Sequence, residues 1–366
     1  MSGASYADSG VDVEAGEKAV ELMRASVART QRPEVISGLG GFAGLFDVSA
    51  YKHMKRPLLA TSTDGVGTKI AVARAMDVHN TVGIDLVAMV VDDLVVCGAE
   101  PLFLTDYIAT GSVDPTRMAA IVSGISEGCV QAGCALVGGE TAEHPGLMDP
   151  DEYDLAAAGT GIVDADHLLG PDRVRAGDVL VAMRSSGLHS NGFSLARHVL
   201  MPDANAVERM LPEVGRTVGE EMLEPTRIYA RDCLALAETL DIHAFSHVTG
   251  GGIAANIARV LPPELATDVD RSTWTPQPIF SVIAGAGDVD QLEMERTFNM
   301  GLGMVAVVEG SASDAAVDLL TQRGVEAWVC GVVREREAGE EGDAAAKGGS
   351  GGIVRVIGEY RTSGGA

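Results

Sequence analysis

Apolar and polar residues alternate along the chain with two periods, one typical of helices and one typical of strands. Residues 12–30 carry apolar side chains at helical spacing, with an acidic start and a basic end, as the helix dipole favours. Further helices are predicted at residues 81–97 and 115–132, where Pro115 takes a first-turn position. Short apolar runs between them predict strands at residues 58–62, 102–109, 135–137 and 155–163. Such alternation is typical of an α/β or α+β fold with sites at the ends of its strands.

The alternation resumes after a turn cluster at residues 170–178, which is rich in Gly, Pro and Asp and predicts a domain boundary. Residues 201–220 are polar and form a predicted excursion from the second sheet. The apolar pattern predicts helices at residues 193–200, 225–240 and 253–260, and strands at residues 179–183, 243–248, 304–308 and 327–333. We therefore predict an N-terminal domain over residues 11–171 and a C-terminal domain over residues 172–333.

Two segments lack any apolar period. Residues 1–10 are short, polar and rich in Gly and Ser, which predicts a disordered N-terminus. Residues 334–352 are rich in Glu, Ala and Gly and are predicted to form a disordered insertion. Strand character returns in residues 353–360, which are predicted to close the edge of the sheet, and residues 361–366 form a tail.

Composition narrows the class of protein. The 366 residues are long enough for two domains with full cores, and a mean hydropathy of +0.16 indicates a globular protein. A formal net charge of −25 argues against nucleic acid or an anionic membrane as a partner. The polar, acidic start has no signal-peptide pattern, and five cysteines without framework spacing fit a reducing compartment. We expect a cytoplasmic protein with no membrane partner.

The stretch Thr63-Asp64-Gly65-Val66-Gly67-Thr68-Lys69 directly follows the first predicted strand. Glycines at this spacing let backbone N–H groups approach an anion closely, and a lysine adds a positive charge. A carboxylate beside such a loop repels phosphate unless a hard divalent cation such as Mg²⁺ lies between them. A plain glycine-rich turn with a solvated acid and lysine is the alternative for this stretch taken alone.

Three further features carry candidate chemistry. Asp92 and Asp93 are adjacent acids on a predicted helix, where paired acids are more commonly just solvated. Residues 37–46 hold four glycines and form either an arm that folds over a polyphosphate or a plain mobile connector. Two glycine-containing loops, at residues 185–192 and 249–252, each precede a predicted helix, a position where anions bind readily.

Nine stretches, read in order, resemble the phosphoribosylformylglycinamidine cyclo-ligases, the aminoimidazole ribonucleotide synthetases of purine biosynthesis. They are residues 38–42, 63–69, 83–89, 98–102, 137–143, 185–192, 225–229, 249–252 and 297–301. The sequence departs from the family pattern at Asp92, where Asn is expected, at Ala43, where Gly is usual, and at His144, where Met is usual. The insertion at residues 334–352 is also atypical. None of these departures removes a group on which the implied chemistry depends.

The resemblance implies an α/β (α+β) fold of two domains, with a C-terminal larger sheet and flanking helices. The N-terminal small sheet is implied to pair with that of a second subunit in a dimeric barrel, so that the enzyme is a homodimer. The implied reaction uses ATP and Mg²⁺ to close formylglycinamidine ribonucleotide to 5-aminoimidazole ribonucleotide. Such chemistry depends mostly on positioning and charge neutralisation and needs no nucleophilic Ser or Cys.

Site residues follow from the matching positions. The metal ligands are Asp64 and Asp93, and the catalytic set adds Lys69 and His189. The ATP-binding residues are Gly38, Gly40, Gly41, Asp64, Gly65, Gly67, Thr68, Lys69 and Glu140. The substrate-binding residues are Ser185, Ser186, His189, Ser190, Asn191, His247, Thr249, Gly250 and Gly251. Glu140 is a metal or ribose ligand or, nearly as well, a helix cap, and His189 serves substrate contact or proton transfer.

Two other functions compete with this interpretation. One is a small-molecule phosphate kinase of the same fold, against which the sequences at residues 185–192 and 298–299 favour the cyclo-ligase. The other is a non-catalytic nucleotide-binding or scaffold protein. Such a protein would tolerate the loss of Asp64 or Asp93, yet both carboxylates are present.

Overall fold

The computed structural model describes residues 12–36, 41–346 and 348–362 and divides into two units. The first unit consists of two chain segments, which end at Leu94 and at Asp166. The second unit comprises Val95–Gly98 and the chain from His167 onward. The change of unit at Asp166 comes before the predicted boundary at residue 171. The turn cluster belongs to the second unit because the N–H of Gly170 donates to the His243 carbonyl oxygen and that of Gly177 to the Val333 carbonyl oxygen.

The first unit contains one four-stranded sheet with helices on one face. Its helices are α1 (Val13–Ala28), α2 (Ile70–Met76), α3 (Val82–Val95) and α4 (Pro115–Ala132). Its strands are β1 (Pro57–Gly65), β2 (Glu100–Thr110), β3 (Ala135–Glu143) and β4 (Tyr153–Asp164). The order is β1-β4-β2-β3, in which β4 is antiparallel to both neighbours and β2 is parallel to β3.

Local signals explain where these helices begin and end. The Asp114 carboxylate accepts the N–H groups of Thr116 and Arg117 at the start of α4, and Gly133 ends the helix with a left-handed φ of 82°. Asp12 caps α1 in the same way, through the N–H of Ala15. The predicted helix at residues 115–132 is confirmed with its bounds, and the one at residues 12–30 is confirmed with slightly shorter ones.

Residue alternation gives the two faces of this sheet different characters. On the inner face, a Cβ on Gly159 would lie 2.5 Å from Val90 of α3, so the helix packs directly on the strands. On the outer face, Leu59 is 71% exposed and Tyr107 is 42% exposed. The outer face is therefore open at Leu59 and Tyr107 in the single chain, whereas Ile162 on the same face is buried against Tyr51.

The second unit is built on a six-stranded sheet with the order β12-β9-β11-β5-β10-β8. Its strands are β5 (Val179–Arg184), β6 (Met210–Leu211), β7 (Arg216–Thr217), β8 (Ile242–His247), β9 (Leu265–Asp270), β10 (Leu302–Val308), β11 (Ala327–Glu335) and β12 (Ile353–Ile357). Its helices are α5 (Phe193–Leu200), α6 (Val218–Met222), α7 (Ala230–Thr239), α8 (Gly252–Ala258), α9 (Pro278–Gly287), α10 (Gln291–Thr297) and α11 (Ser313–Gln322). The pair β12–β9 is parallel, and β12 lies at the sheet edge, as predicted.

The structure corrects the helix predicted at residues 225–240, which begins only at Ala230. Residues 225–229 are irregular because Ser186 replaces the helical hydrogen bonds there. Its hydroxyl donates to the Pro225 carbonyl oxygen and accepts the N–H of Arg227. The polar excursion at residues 201–220 contains the small β6–β7 hairpin and α6.

The segment predicted as a disordered insertion differs from that expectation over its described residues. Arg334 and Glu335 belong to β11, and the Arg334 guanidinium contacts Glu340, whose side chain is 7% exposed. Asp343 bonds β12 twice, since its N–H donates to the Val354 carbonyl oxygen and its carboxylate accepts the Val356 N–H at 2.6 Å. Glu340 and Asp343 contribute to the low apolar content of this segment, and their hydrogen bonds hold the segment to the sheet.

We predict that Glu340→Gln lowers the melting temperature at neutral pH. Hydrogen bonds, first from Arg334 and then from the Glu337 N–H, lower the pKa of Glu340 from 4.5 to about 2. Because the folded-state pKa is the lower one, this carboxylate stabilises the fold above about pH 4.5 and the gain is lost as the pH falls through about 2.

Thermal unfolding at several pH values measures this effect. The difference between the wild type and Glu340→Gln should be full at pH 7 and should shrink below pH 4.5. Glu341→Gln removes the same charge at the neighbouring, exposed position and is the matched control. Equal melting temperatures of the two variants at pH 7 would contradict the prediction.

Candidate functional site

The stretch after the first strand forms a turn between β1 and α2. Asp64 is the penultimate residue of β1, and its carboxylate accepts the N–H of Gly65 at 2.7 Å. Gly67 has a φ of 73° and starts a short 3₁₀ turn that leads into α2. A non-glycine residue would be strained at this φ, so the glycine is required by the turn itself. Gly67 and Thr68 are exposed, which leaves this turn accessible to a ligand.

Lys69, the last residue of this turn, forms an ion pair inside the first unit. Its side chain is fully buried, and its ammonium group donates to the Asp85 carboxylate at 2.8 Å. Asp85 is also fully buried, in the first turn of α3. The structure therefore places Lys69 in a buried ion pair with Asp85, and its contact with phosphate oxygens stays a prediction.

The two adjacent acids of α3 lie in different environments. Asp92 is fully buried and Asp93 is exposed, because neighbouring residues on a helix point about 100° apart. Asp93 is therefore the accessible acid of the two, and its role as a metal ligand stays a prediction. Within the described ranges, no group of three His, Cys, Asp or Glu side chains forms a metal cage. Two carboxylates leave the remaining oxygen positions of a Mg²⁺ ion to water and phosphate, which is the usual arrangement for this ion.

Strand register places Glu140 away from Asp64. Asp64, Ala157, Asp106 and Gly139 form one row across the sheet and share its inner face. Glu140 belongs to the next row, opposite Tyr107, and is exposed on the outer face. The structure therefore does not bring Glu140 and Asp64 together within one chain.

Asp106, on the inner face, is a residue that the sequence analysis missed. It is 9% exposed, and its carboxyl group lies beside Gly139 of β3, where a Cβ would come within 2.2 Å of its Oδ1. Burial raises the pKa of Asp106 from 3.8 to about 7. The sequence pattern could have identified Asp106, because it is an acid at an inward-facing position of the apolar run at residues 102–109.

Asp106 lines a groove of about 990 Å³ between α1 and the edge strand β3. Gly41 and Glu140, both predicted to bind ATP, line the same groove. Gly38 and Gly40 lie outside the described residues. The groove walls include Ala19, Met23, Val27, Val122, Leu136 and Val137.

In the second unit, the loop at residues 185–192 leaves the end of β5 and is held by His189. This side chain is 3% exposed, and its Nε2 accepts the N–H of Ser186 at 3.1 Å. That bond requires an unprotonated Nε2 and so places the ring proton on Nδ1. His189 also has a φ of 62°, a strained value for a residue with a Cβ, and such strain is concentrated at functional sites.

The serines of this loop bond within the protein. Ser185 donates to the Gly187 carbonyl oxygen, and Ser190 shares a hydrogen bond of 3.1 Å with Thr226. Two side chains that lie outside this loop in the sequence, and that were not predicted to be site residues, also donate hydrogen bonds to it. Gln277 donates to the Ser185 carbonyl oxygen at 2.7 Å, and Asn299 donates to the Gly187 carbonyl oxygen at 2.9 Å. Asn299 lies in one of the matching stretches, whereas nothing in the sequence pattern indicated Gln277.

The second glycine loop follows β8 and meets the first. His247 ends β8 and is 5% exposed, and Thr249, Gly250 and Gly251 precede α8. A Cβ on Gly250 would lie 3.3 Å from the Asn191 Oδ1, so the two predicted substrate loops are adjacent. Their close approach produces one surface of backbone and small polar groups within the second unit.

Family models described as AIR synthase related protein match the chain twice, the N-terminal domain at residues 47–163 and the C-terminal domain at residues 175–343. Among solved structures, the thiamine-monophosphate kinase of Stenotrophomonas maltophilia K279a has a TM-score of 0.66 at 20% identity, covering 94% of this chain and 97% of its own. The hydrogenase maturation protein HypE of E. coli has a TM-score of 0.63 at 18% identity, covering 93% and 92%. Similarity at these identities shows the fold alone.

Curated relatives are much more similar. The phosphoribosylformylglycinamidine cyclo-ligase of Acetivibrio thermocellus is 47% identical and covers 91% of this chain and 98% of its own. That of Anaeromyxobacter sp. (strain K) is 49% identical and covers 93% and 97%. Within the described residues, no helix is long and apolar enough to cross a bilayer. With both domain models matched in order and these identities over most of its length, the chain belongs to the phosphoribosylformylglycinamidine cyclo-ligase family.

Proposed function

We propose that this chain is an ATP-dependent cyclo-ligase of purine biosynthesis that closes formylglycinamidine ribonucleotide to 5-aminoimidazole ribonucleotide. The observation that carries the proposal is the 47–49% identity to cyclo-ligases over more than nine tenths of the chain. The likeness to thiamine-monophosphate kinase, at 20% identity, concerns the fold and supports no kinase assignment. A cytoplasmic location fits five cysteines that form no disulfide in the described part of the chain.

The reaction needs activation of a poor electrophile. ATP transfers its terminal phosphoryl group to the amide oxygen of the substrate, which turns that oxygen into a leaving group. The neighbouring amidine nitrogen then attacks the same carbon, the ring closes, and phosphate departs. The protein contributes positioning and charge neutralisation rather than a covalent intermediate.

We assign Asp64 and Asp93 to Mg²⁺, which would neutralise negative charge on the ATP phosphates. Support comes from their positions at the end of β1 and on an exposed part of α3. The N–H groups of Gly65 and Gly67, with exposed Thr68, are suited to bind phosphate oxygens beside them. We also assign Lys69 to positioning this turn, because its buried ammonium group binds Asp85 of α3.

In the second unit, we assign the loops at residues 185–192 and 249–251 to the substrate. Their serine hydroxyls are used within the protein, so backbone N–H groups supply much of the recognition, with Asn191 and His247 at the loop ends. His189 holds the Ser186 N–H through Nε2. Its role in substrate contact or proton transfer therefore has to use Nδ1 or follow a rearrangement of this loop.

We also propose a homodimer in which the open face of the first unit's sheet is covered by a second copy. The support is the exposed apolar side chain of Leu59 and the exposed ring of Tyr107 on that face, together with two sheet edges at β1 and β3. His144, a departure from the family pattern, contacts the Tyr107 hydroxyl group at 3.1 Å on this face.

The central experiment supplies the protein with formylglycinamidine ribonucleotide, ATP and Mg²⁺. We expect an aminoimidazole product and one ADP for each ring closed. Chromatography measures the amounts of both nucleotides. ADP released without a cyclised product would exclude the proposed reaction and would leave an ATPase or a kinase.

A second prediction separates the adjacent acids of α3. Asp93→Asn should lower Mg²⁺-dependent turnover severely, as should Asp64→Asn, because an amide does not replace the charge of a metal ligand. Asp92→Asn should keep most of the activity, since buried Asp92 stands where relatives of this family are expected to carry Asn. Turnover measured against Mg²⁺ concentration provides the comparison.

Each of these α3 variants removes one negative charge from the same helix, so the pair controls for overall charge. Circular dichroism of both variants tests that the fold is retained. An inactive Asp92→Asn beside an active Asp93→Asn would show that the metal ligand has been assigned to the wrong residue.

The dimer predicts that a folded monomer is not populated at working concentration. Sedimentation velocity should show one species of twice the chain mass. Leu59→Asp places a charge on the open face and should shift that species towards monomer, whereas Val329→Asp, on an exposed position of the second unit, should not. An active monomeric wild type would contradict the dimer.

A further inference from the structure

Gln277 occupies a helix-cap position without capping the helix. It is the N-cap residue of α9, directly before Pro278 in the first turn. Ser, Thr, Asp and Asn are preferred at such a position, because their short side chains accept N–H groups of the first turn. Within this fully described helix, the Gln277 side chain makes no such hydrogen bond. Departures from a local preference are expected where a side chain serves a functional site instead.

The Gln277 side chain serves the first residue of the loop at residues 185–192. Its Nε2 donates to the Ser185 carbonyl oxygen at 2.7 Å and to the Ser185 Oγ at 3.2 Å. The Ser185 N–H donates in another direction, to the Gly301 carbonyl oxygen at 3.0 Å. Both backbone polar groups of Ser185 are therefore bonded by residues that are distant in the sequence, and the loop starts from a fixed point.

The segment that carries Gln277 is itself held in place. Trp274 is 3% exposed, and its Nε1 donates to the Met300 carbonyl oxygen at 2.9 Å. The Thr275 carbonyl oxygen accepts Nη1 and Nη2 of Arg184, each at 3.1 Å. Residues 184–185 and 275–277 are thus joined by hydrogen bonds that run in both directions. Gln277 reaches Ser185 from a rigid support.

The loop needs such a support because its backbone is strained at His189, which has a φ of 62°. A strained residue of this kind persists only where the surrounding structure holds it. Inside the loop, the Ser186 N–H donates to the His189 Nε2. From outside, Asn299 holds the middle of the loop at Gly187, and Gln277 holds its start.

We propose that Gln277 is a positioning residue of the substrate loop, which it fixes by donating to Ser185. The proposal rests on the proposed function, which assigns residues 185–192 to formylglycinamidine ribonucleotide. It adds a residue that lies outside the nine stretches of family resemblance. A loop that is already ordered binds its ligand more tightly, because less ordering is left to the binding step. Loss of the Gln277 donor should therefore weaken the binding of this substrate and leave the binding of ATP unchanged.

Two variants separate hydrogen-bond donation from the bulk of the side chain. Gln277→Met keeps the length of the side chain and removes its donor. Gln277→Glu keeps the shape but places a carboxylate, which only accepts, against the Ser185 carbonyl oxygen. Gln322→Met makes the first substitution at an exposed position, the last residue of α11, and is the matched control.

Steady-state kinetics with formylglycinamidine ribonucleotide, ATP and Mg²⁺ provides the first measurement. The KM for formylglycinamidine ribonucleotide should rise about fivefold in Gln277→Met, which is the effect of one hydrogen bond, and further in Gln277→Glu. The KM for ATP and kcat should stay close to the wild-type values, because the interaction acts on substrate binding alone. Gln322→Met should match the wild type in all three constants.

Hydrogen exchange of the free protein tests the loop without any turnover. Peptides that cover residues 185–192 should exchange faster in both Gln277 variants, because the Ser186 N–H loses its fixed acceptor. Peptides from β9 should keep the wild-type protection. A purely structural role would instead raise exchange throughout the second unit and lower the melting temperature.

Wild-type exchange at residues 185–192 in both variants, or wild-type kinetics in Gln277→Glu, would overturn the proposal. Faster exchange spread over the whole second unit would overturn it as well. A wild type that closes no ring would refute the proposed function, while faster exchange confined to this loop would still show that Gln277 fixes it. Ring closure by the wild type with unaltered loop exchange in the variants would refute the role of Gln277 alone.

Discussion

The buried ion pair of Lys69 and Asp85 is the interaction on which the glycine turn and α3 of the first unit depend. Both side chains have no exposed surface, so each charge would be strongly destabilising without the other. Lys69 ends the glycine turn after β1, and Asp85 lies in the first turn of α3. Removing one partner of such a pair costs about 3–5 kcal/mol. The pair therefore links the turn that follows Asp64 to the helix that carries Asp93.

This role for Lys69 shows what the sequence pattern could and could not predict. Glycine spacing and the adjoining strand located the turn, since both act through local backbone conformation. The direction of the lysine side chain depends on a partner 16 residues away, which no local pattern contains. The same limit applies to Glu140, whose face is set by strand register, and to Asp106, whose burial is set by tertiary packing. In each case the residue type was visible and its surroundings were not.

In the second unit, the apolar pattern predicted some helices and strands and missed others. Strands such as β5 and β10 were predictable because their apolar runs are continuous, whereas β9 contains two acids and was missed. The helix α9 was missed because it has few polar positions to reveal a helical period. The acidic segment after β11 seemed unable to fold, yet Glu340 is paired with Arg334. Low apolar content predicts disorder only when the charges lack partners, and the pairing is visible only in three dimensions.

An acidic protein that handles phosphates has to neutralise charge locally. With a net charge of −25, the chain offers no general attraction to anions, and the lysine nearest the glycine turn is consumed by Asp85. In the proposed function, backbone N–H groups and a metal ion held by Asp64 and Asp93 would neutralise the phosphates instead.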